Sequence, residues 1–268
     1  MDEPVAYGRL LLTGAAGALG RVLRPAMREW APKLRVSDIA ALDAAERNEE
    51  AVPCDLGDER AMRKLLEGVD AVVHMGGVST DKPWSPILNA NIVGVYNLYE
   101  SARIAGTKRI IFASSNHAIG FYPRSQRIDA DDPVRPDSLY GVSKTFGENL
   151  SRFYFDRYGI ESVCMRIGSA FPEPRDRRML VTWLSYADLT ELVRAALFTP
   201  RAGHTIVFGA SSNRDSWWDN AKASHLEWQP KDNTESFRAS REGAPPVDES
   251  SPVEKYQGGA YVISGPYE

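Results

Sequence analysis

The sequence predicts an α/β fold, a doubly wound parallel sheet with helices on both faces, on three observations. Short apolar runs alternate with helical patterns from Arg9 to Phe208, and such alternation builds parallel sheets through right-handed crossovers. The first run breaks into glycines at its carboxyl end and later runs stop at small or polar residues, which is where such a sheet leaves room for a ligand. Tyr140 and Lys144 stand four residues apart on a helical stretch, so their heads share one face.

Composition narrows the class. A chain of 268 residues can bury one large core, and 43% hydrophobic with 25% charged residues excludes disorder. A net charge of -4 without a long Lys/Arg run argues against nucleic acid and against an anionic membrane surface. The acidic start Met1-Asp2-Glu3-Pro4 lacks the basic and apolar regions of a signal peptide. No apolar window approaches the ~20 residues a membrane span requires, so the expected location is the cytoplasm. Cys54 and Cys164 suit neither a disulfide framework nor a zinc site. They read as buried free thiols of a reducing compartment, and no metal site is expected.

Arg9 to Thr13 reads as a strand that turns at Gly14-Ala15-Ala16-Gly17-Ala18-Leu19-Gly20 into a helix ending near Trp30. Glycines there let the backbone approach a pyrophosphate at the helix N-terminus, where free N–H groups and the dipole favour anions. A plain tight turn is the competing reading. A second strand, Lys33 to Ser37, ends at Asp38. An acidic residue about 20 positions past the glycines would accept hydrogen bonds from the adenosine ribose hydroxyls. It would also repel a 2′-phosphate, so the expected cofactor is NAD rather than NADP.

A short strand around Val52-Pro53 leads to Asp55-Leu56, and Asp58 is placed to cap a helix through Leu66. Asp70 to His74 reads as a buried strand stopping at Met75-Gly76-Gly77-Val78-Ser79, with His74 a core histidine. Residues 86–105 carry a helical pattern with Asn91 near its start. The strand Arg109 to Ala113 closes on Ser114-Ser115-Asn116-His117, donors that packing would waste and a site would use. Residues 118–137 read as a surface loop feeding the Tyr140 helix, which runs to about Tyr158.

Strand Ser162 to Ile167 ends in Gly168-Ser169. Beyond it Pro172 and Pro174 break the backbone, and Arg175, Arg177 and Arg178 crowd the following loop. A helix from Tyr186 to Phe198 and a strand from Thr205 to Phe208 return to the core. Residues 211–268 form a polar tail with short helical patterns near Trp217 to Ala223 and Glu235 to Arg241. One domain is expected, with a dinucleotide-binding core at 8–169 and 186–208 and a small substrate-binding part at 170–185 and 209–268. For the chemistry, a phenol with a pKa near 10 is a poor base at neutral pH, but a neighbouring cation favours phenolate and makes it usable.

In their joint order, Gly14-x-x-Gly17-x-x-Gly20, Asp38, Asp55-Leu56, Asn91, Ser115 and Tyr140-x-x-x-Lys144 make the chain resemble the extended short-chain dehydrogenase/reductase superfamily, with its Rossmann-like fold. More narrowly, Thr13 to Gly17, His74 to Ser79, Ser114 to His117, Arg166 to Ser169 and Arg177 to Leu180 are similar to the uronate dehydrogenases. Ala18 departs from that pattern, which carries glutamine there. The resemblance implies NAD-dependent oxidation of D-glucuronate or D-galacturonate at C1, giving an aldarolactone. Tyr140 would be the general base and Ser115 would hydrogen-bond the reacting oxygen. Lys144 would hold the nicotinamide ribose and, with the cofactor's positive charge, lower the Tyr140 pKa.

The resemblance also implies cofactor contacts from Gly14, Ala16, Gly17, Ala18, Leu19, Gly20, Asp38, Asp55, Leu56, Gly76, Gly77 and Asn91, besides Tyr140 and Lys144. Ser79, Asn116, His117 and Ser169 would contact sugar hydroxyls, and Arg178 would clamp the C6 carboxylate. Residue reasoning by itself does not choose Arg178 over Arg175 or Arg177. The implied partners are a small sugar acid and further copies of the chain, meeting through the helices at 86–105 and 138–158. A nucleotide-sugar epimerase is the nearest alternative, for which residues 170–268 are short. A non-catalytic NAD sensor is another, for which an intact Tyr-Lys pair is unexpected.

Overall fold

The computed structural model describes residues 5–242, 248 and 250–265. The acidic start Met1 to Pro4 and parts of the tail lie outside them. In chain order the strands are β1 (Arg9–Thr13), β2 (Lys33–Ser37), β3 (Glu49–Ala51), β4 (Ala71–His74), β5 (Arg109–Ser115), β6 (Glu161–Ile167), β7 (Ser169–Ala170), β8 (Trp183–Leu184) and β9 (His204–Gly209). The helices are α1 (Ala18–Arg28), α2 (Glu59–Leu65), α3 (Trp84–Ile87), α4 (Gly94–Ala105), α5 (Leu139–Tyr158), α6 (Met179–Thr182), α7 (Tyr186–Phe198), α8 (Glu235–Glu242) and α9 (Pro252–Lys255).

Seven strands form one parallel sheet in the order β3-β2-β1-β4-β5-β6-β9. The doubly wound, Rossmann-like expectation is met. Successive strands step outward from β1 to β3, then return and step the other way from β4. The order therefore reverses between β1 and β4, and a crevice opens at their carboxyl ends. Leu10, Leu12, Leu34 and Val36 pack on one face with Leu23 and Met27 of α1 and Leu189 and Val193 of α7. Leu11, Val72, Ile110 and Phe112 pack on the other with Met62 and Leu65 of α2 and Leu98 of α4. Burial on both faces explains why the strands read as continuous apolar runs.

Four expectations are corrected. The third strand is β3, which ends at Ala51 just before Val52-Pro53, although Val52 N still donates to Val36 O at 2.9 Å and Cys54 N to Asp38 O at 3.2 Å. The helix read across 86–105 is broken by a π-helical stretch, Leu88–Val93, between α3 and α4. Residues 118–137 are no mere surface loop, since Ile119, Tyr122 and Ile128 form a third cluster with Phe208 and Trp218. Trp218 pairs with Ile128 in an isolated bridge and stacks on Phe208, so the helical pattern read near Trp217 reduces to a 3-10 segment, Ala221–Leu226.

Two other local readings hold, the Asp58 cap and the buried thiols. Asp58 caps α2 by accepting from Ala61 N at 3.0 Å, and Cys54 and Cys164 are buried free thiols. Among the described residues no helix is long and apolar enough to cross a membrane, and no His/Cys/Asp/Glu group could hold a metal ion.

Beneath the sheet's carboxyl edge, Glu148 of α5 receives Arg166 of β6 through two bonds, Nε at 3.0 Å and Nη2 at 2.9 Å. Ser114 Oγ donates to the same carboxylate at 2.6 Å, and both charged side chains are almost fully buried. Removing one charge of such a pair strands the other in a low dielectric. Glu148→Gln is expected to lower stability by about 3 to 5 kcal/mol, read as a fall in the urea midpoint at constant m-value.

Candidate active site

The crevice is built from both sides. At Gly14, where φ is +70°, a Cβ would lie 2.5 Å from the Met75 carbonyl carbon, so only glycine lets the turn touch the end of β4. At Gly20 a Cβ would lie 2.1 Å from Gly14 O, so glycine also seats α1 on that turn. Gly17 caps α1 with no side-chain bond, and the first turn, with exposed Ala18 and half-buried Leu19, holds no acidic residue. The amino end of α1 is thus open to an anion. At the end of β2 the Asp38 carboxylate accepts from Ala16 N at 2.9 Å and from Ala40 N at 3.0 Å.

Asp55 accepts from Gly57 N at 2.8 Å, and Leu56 packs against Gly76, whose Cβ would lie 3.2 Å from its Cδ1. Buried Asn91 spends its amide on protein. It accepts from Val78 N at 2.8 Å and donates to Val78 O and to Ser143 Oγ, both at 2.9 Å. Asn91 therefore fixes the Gly76-Gly77-Val78 loop and ties it to α5. These residues make a cradle that fits a dinucleotide.

Ser138 caps α5, its Oγ accepting from Gly141 N at 3.0 Å, which aims Tyr140 and Lys144 across the end of β5. Lys144 Nζ donates to Ala113 O at 2.8 Å and lies 5.3 Å and 5.4 Å from the ring centres of Phe112 and Tyr140. Burial pushes the Lys144 pKa down to about 8, with the Glu148 carboxylate pulling it back up. Burial pushes the Tyr140 phenol well above its ordinary range, and the Ser115 hydroxyl beside it opposes that shift. The lowering expected from Lys144 does not appear in the protein alone; desolvation of the phenolate dominates. His74 is the core histidine expected, bonded through Nδ1 to Thr13 Oγ1 at 2.7 Å and pushed down to about 3 by burial.

Arg178 gathers the other wall. Its Nε donates to Gln257 O at 2.6 Å and its Nη1 reaches Ser169 Oγ at 3.5 Å, while Ser169 pairs with Thr182 Oγ1 at 2.9 Å. Buried Asn116 turns its amide oxygen to Arg178 Nη2 at 2.5 Å and its nitrogen to Ile167 O at 3.1 Å. Burial pushes the Arg178 pKa down to about 10. Buried Arg24, Arg35, Arg109 and Arg166 are each paired with a glutamate. Arg178 has no carboxylate within ion-pair distance among the described residues. Arg175 and Arg177 are exposed, and Arg175 lies over Phe171 at 3.8 Å. The structure thus separates Arg178 from its neighbours.

His117 bonds Asp137 Oδ2 through Nδ1 at 2.8 Å, stacks on Tyr261 at 3.7 Å and meets the Tyr140 ring edge-on at 5.9 Å. Ser79 stands exposed one residue past the pinned Val78. Sequence reasoning missed Asp81, Asp137, Gln257 and Tyr261. Asp81 accepts from Tyr140 N at 3.2 Å and from Ser264 Oγ at 2.8 Å, fastening the tail over α5. Asp137 is adjacent to the Ser138 cap, a signal that could have found it. Nothing local marks Tyr261, which arrives from a distant segment.

Lysine at an ordinary pKa of 10.5 in the unfolded chain and about 8 in the fold means the unfolded chain binds the extra proton between those values. Stability contributed here therefore rises with pH across that window. Relative to Lys144→Met, the parent is expected to gain roughly 2 to 3 kcal/mol between pH 7 and 10.5, measured by urea unfolding of both proteins across the range.

A family model described as the NAD dependent epimerase/dehydratase family matches residues 10–208. The chain is 56% identical over 262 residues to the uronate dehydrogenase of Pseudomonas putida, covering 97% of this chain and 98% of that protein. The crystal structure of a glucuronic acid dehydrogenase from Chromohalobacter salexigens superposes with a TM-score of 0.95 at 50% identity, over 97% and 98% of the two chains. A mutant uronate dehydrogenase from Agrobacterium tumefaciens complexed with NAD superposes with a TM-score of 0.94 at 49% identity, over the same shares. The chain belongs to the NAD dependent epimerase/dehydratase family and, within it, to the uronate dehydrogenases.

Proposed function

We propose that the chain oxidises free hexuronates, D-glucuronate and D-galacturonate, at C1 with NAD, giving an aldarolactone. Arg178 carries this reading. A half-buried guanidinium beside Ser169 and Asn116, without a carboxylate of its own among the described residues, suits an acid substrate. Its fork matches a carboxylate in two parallel hydrogen bonds.

Bound NAD supplies the acceptor for the C1 hydride. The Gly14 to Gly20 turn and Asp38 hold its adenosine end, with Asp55, Leu56, Gly76 and Gly77 lining the crevice. The N–H groups of Lys144 that Ala113 O leaves free would hold the nicotinamide ribose. Tyr140 takes the C1 hydroxyl proton. It must first give up its own proton against the cost of burial; the Ser115 hydroxyl opposes that cost, and the positive charge of a bound cofactor beside Lys144 would add to the opposition. Ser115 donates to the reacting oxygen, and Ser79, Asn116, His117 and Ser169 bind the ring hydroxyls. The core of 8–169 and 186–208 serves the cofactor, and 170–185 with 209–268 serves the sugar. Apolar side chains exposed on α4 and α5, among them Tyr96, Ile104, Val142 and Phe153, support a homo-oligomer. The free thiols support a cytoplasmic location.

Side-by-side assays with glucuronate, galacturonate, glucose and UDP-glucose are expected to give net NAD reduction with the two uronates alone. Reduction by UDP-glucose, or bound NAD that is never released as NADH, would instead indicate an epimerase. Tyr140→Phe is expected to lose about 100- to 10,000-fold in kcat. Arg178→Ala should cost uronates roughly 100-fold in kcat/KM while leaving any residual turnover of neutral aldoses unchanged.

A further inference from the structure

A directional chain of hydrogen bonds runs from the catalytic helix to His117. Gly141 N–H, which can only donate, gives its proton to Ser138 Oγ at 3.0 Å. Ser138 Oγ donates onward to Asp137 Oδ1 at 2.8 Å. The Asp137 side chain is fully buried, and its Oδ2 lies 2.8 Å from His117 Nδ1. A carboxylate has no proton to give, so Nδ1 must be the donor. In a neutral imidazole one nitrogen carries the proton, and that leaves Nε2 bare.

The ring's charge and plane are also set. Around it stand Asp137, Asp81, Arg178, Tyr140 and Tyr261. Burial holds the His117 pKa below its ordinary value, Arg178 adding to that shift and Asp137 and Asp81 opposing it. Tyr261 stacks on one face, inclined by 21°, and Tyr140 meets the ring edge-on. His117 N also donates to Ser115 Oγ at 3.2 Å, which ties the histidine to the residue beside the reacting oxygen. Nε2 makes no hydrogen bond to any described residue.

We propose that Asp137 is a positioning residue that fixes the tautomer of His117, so that Nε2 offers the substrate a lone pair and accepts a hydrogen bond from a ring hydroxyl. This rests on the proposed hexuronate site, in which His117 contacts the sugar. It adds a requirement on the substrate: the position facing His117 must be a donor. A sugar bearing an ether or a carbonyl there would meet two opposed acceptors, and the histidine, held by Asp137, could not rotate its proton to relieve them.

Asp137→Asn keeps the volume and can keep the hydrogen bonds, but places an amide donor against Nδ1 and so moves the proton to Nε2. The tautomer is read directly from two-bond ring correlations of 15N-labelled protein at pH 8, with His117→Gln assigning the signal among four histidines. The parent is expected to show Nδ1 protonated and Nε2 bare, and Asp137→Asn the reverse. NAD affinity should stay unchanged, with kcat/KM for the preferred uronate falling about 10- to 100-fold. In a His117→Gln background, Asp137→Asn should then cost little more. A parent ring protonated on Nε2, unchanged turnover in Asp137→Asn, or an equal loss from that substitution in the His117→Gln background would each overturn the proposal. The ring spectrum needs no substrate. A protein with the expected tautomer that turned over no uronate would refute the hexuronate reading and leave the Asp137 effect on His117 standing.

Discussion

The close seating of α5 on the carboxyl end of β5 is the contact on which the rest of this site depends. Lys144 Nζ reaches across it to Ala113 O at 2.8 Å. At Gly141 a Cβ would lie 2.3 Å from His117 O, and at Gly147 one would lie 2.3 Å from the Phe112 ring. Bare backbone at these two turns lets a helix approach a strand more closely than side chains allow. That approach brings a phenol and an ammonium from the helix to the serine, asparagine and histidine at the strand's end. It also buries Tyr140 and Lys144, and their altered proton affinities follow from that burial.

Charge is distributed under the same constraint. Structural arginines in the interior are each matched to a glutamate, and Glu148 takes Arg166 and Ser114 together. Buried Lys144 and half-buried Arg178 are held differently. Lys144 is bound by a neutral carbonyl, and Arg178 by a carbonyl, an amide oxygen and a hydroxyl. Neutral acceptors orient a cation without cancelling it. What a substrate carboxylate would meet is a charge partly desolvated and already held in place.

The fold and the cofactor end were legible in the sequence because their signals are local. A glycine turn between a strand and a helix, an acid at the next strand's end and a Tyr-Lys pair at helical spacing each lie within a few residues. The boundaries of β2 and α7 could be read directly because their apolar runs are bounded by polar residues. The substrate end was less legible because long-range contacts make it. Arg178 is distinguished from Arg175 and Arg177 by its bonds to Ser169, Asn116 and Gln257, the last 79 positions away. Residues 118–137 read as solvent loop because their composition is polar, yet Ile119 and Ile128 are buried by a tail whose pairing no periodicity announces. The π-helical stretch at Asn91 was invisible for a similar reason. It serves a side chain turned inward toward a distant loop, against the local preference for a regular helix.

The segment from Tyr256 to Ser264 closes over the wall opposite the glycine turn: Gln257 O holds Arg178, Tyr261 covers His117, and Ser264 bonds Asp81. It leaves the ribosome after everything it touches. One late segment of the chain thus fastens three walls that come from positions 81, 117 and 178.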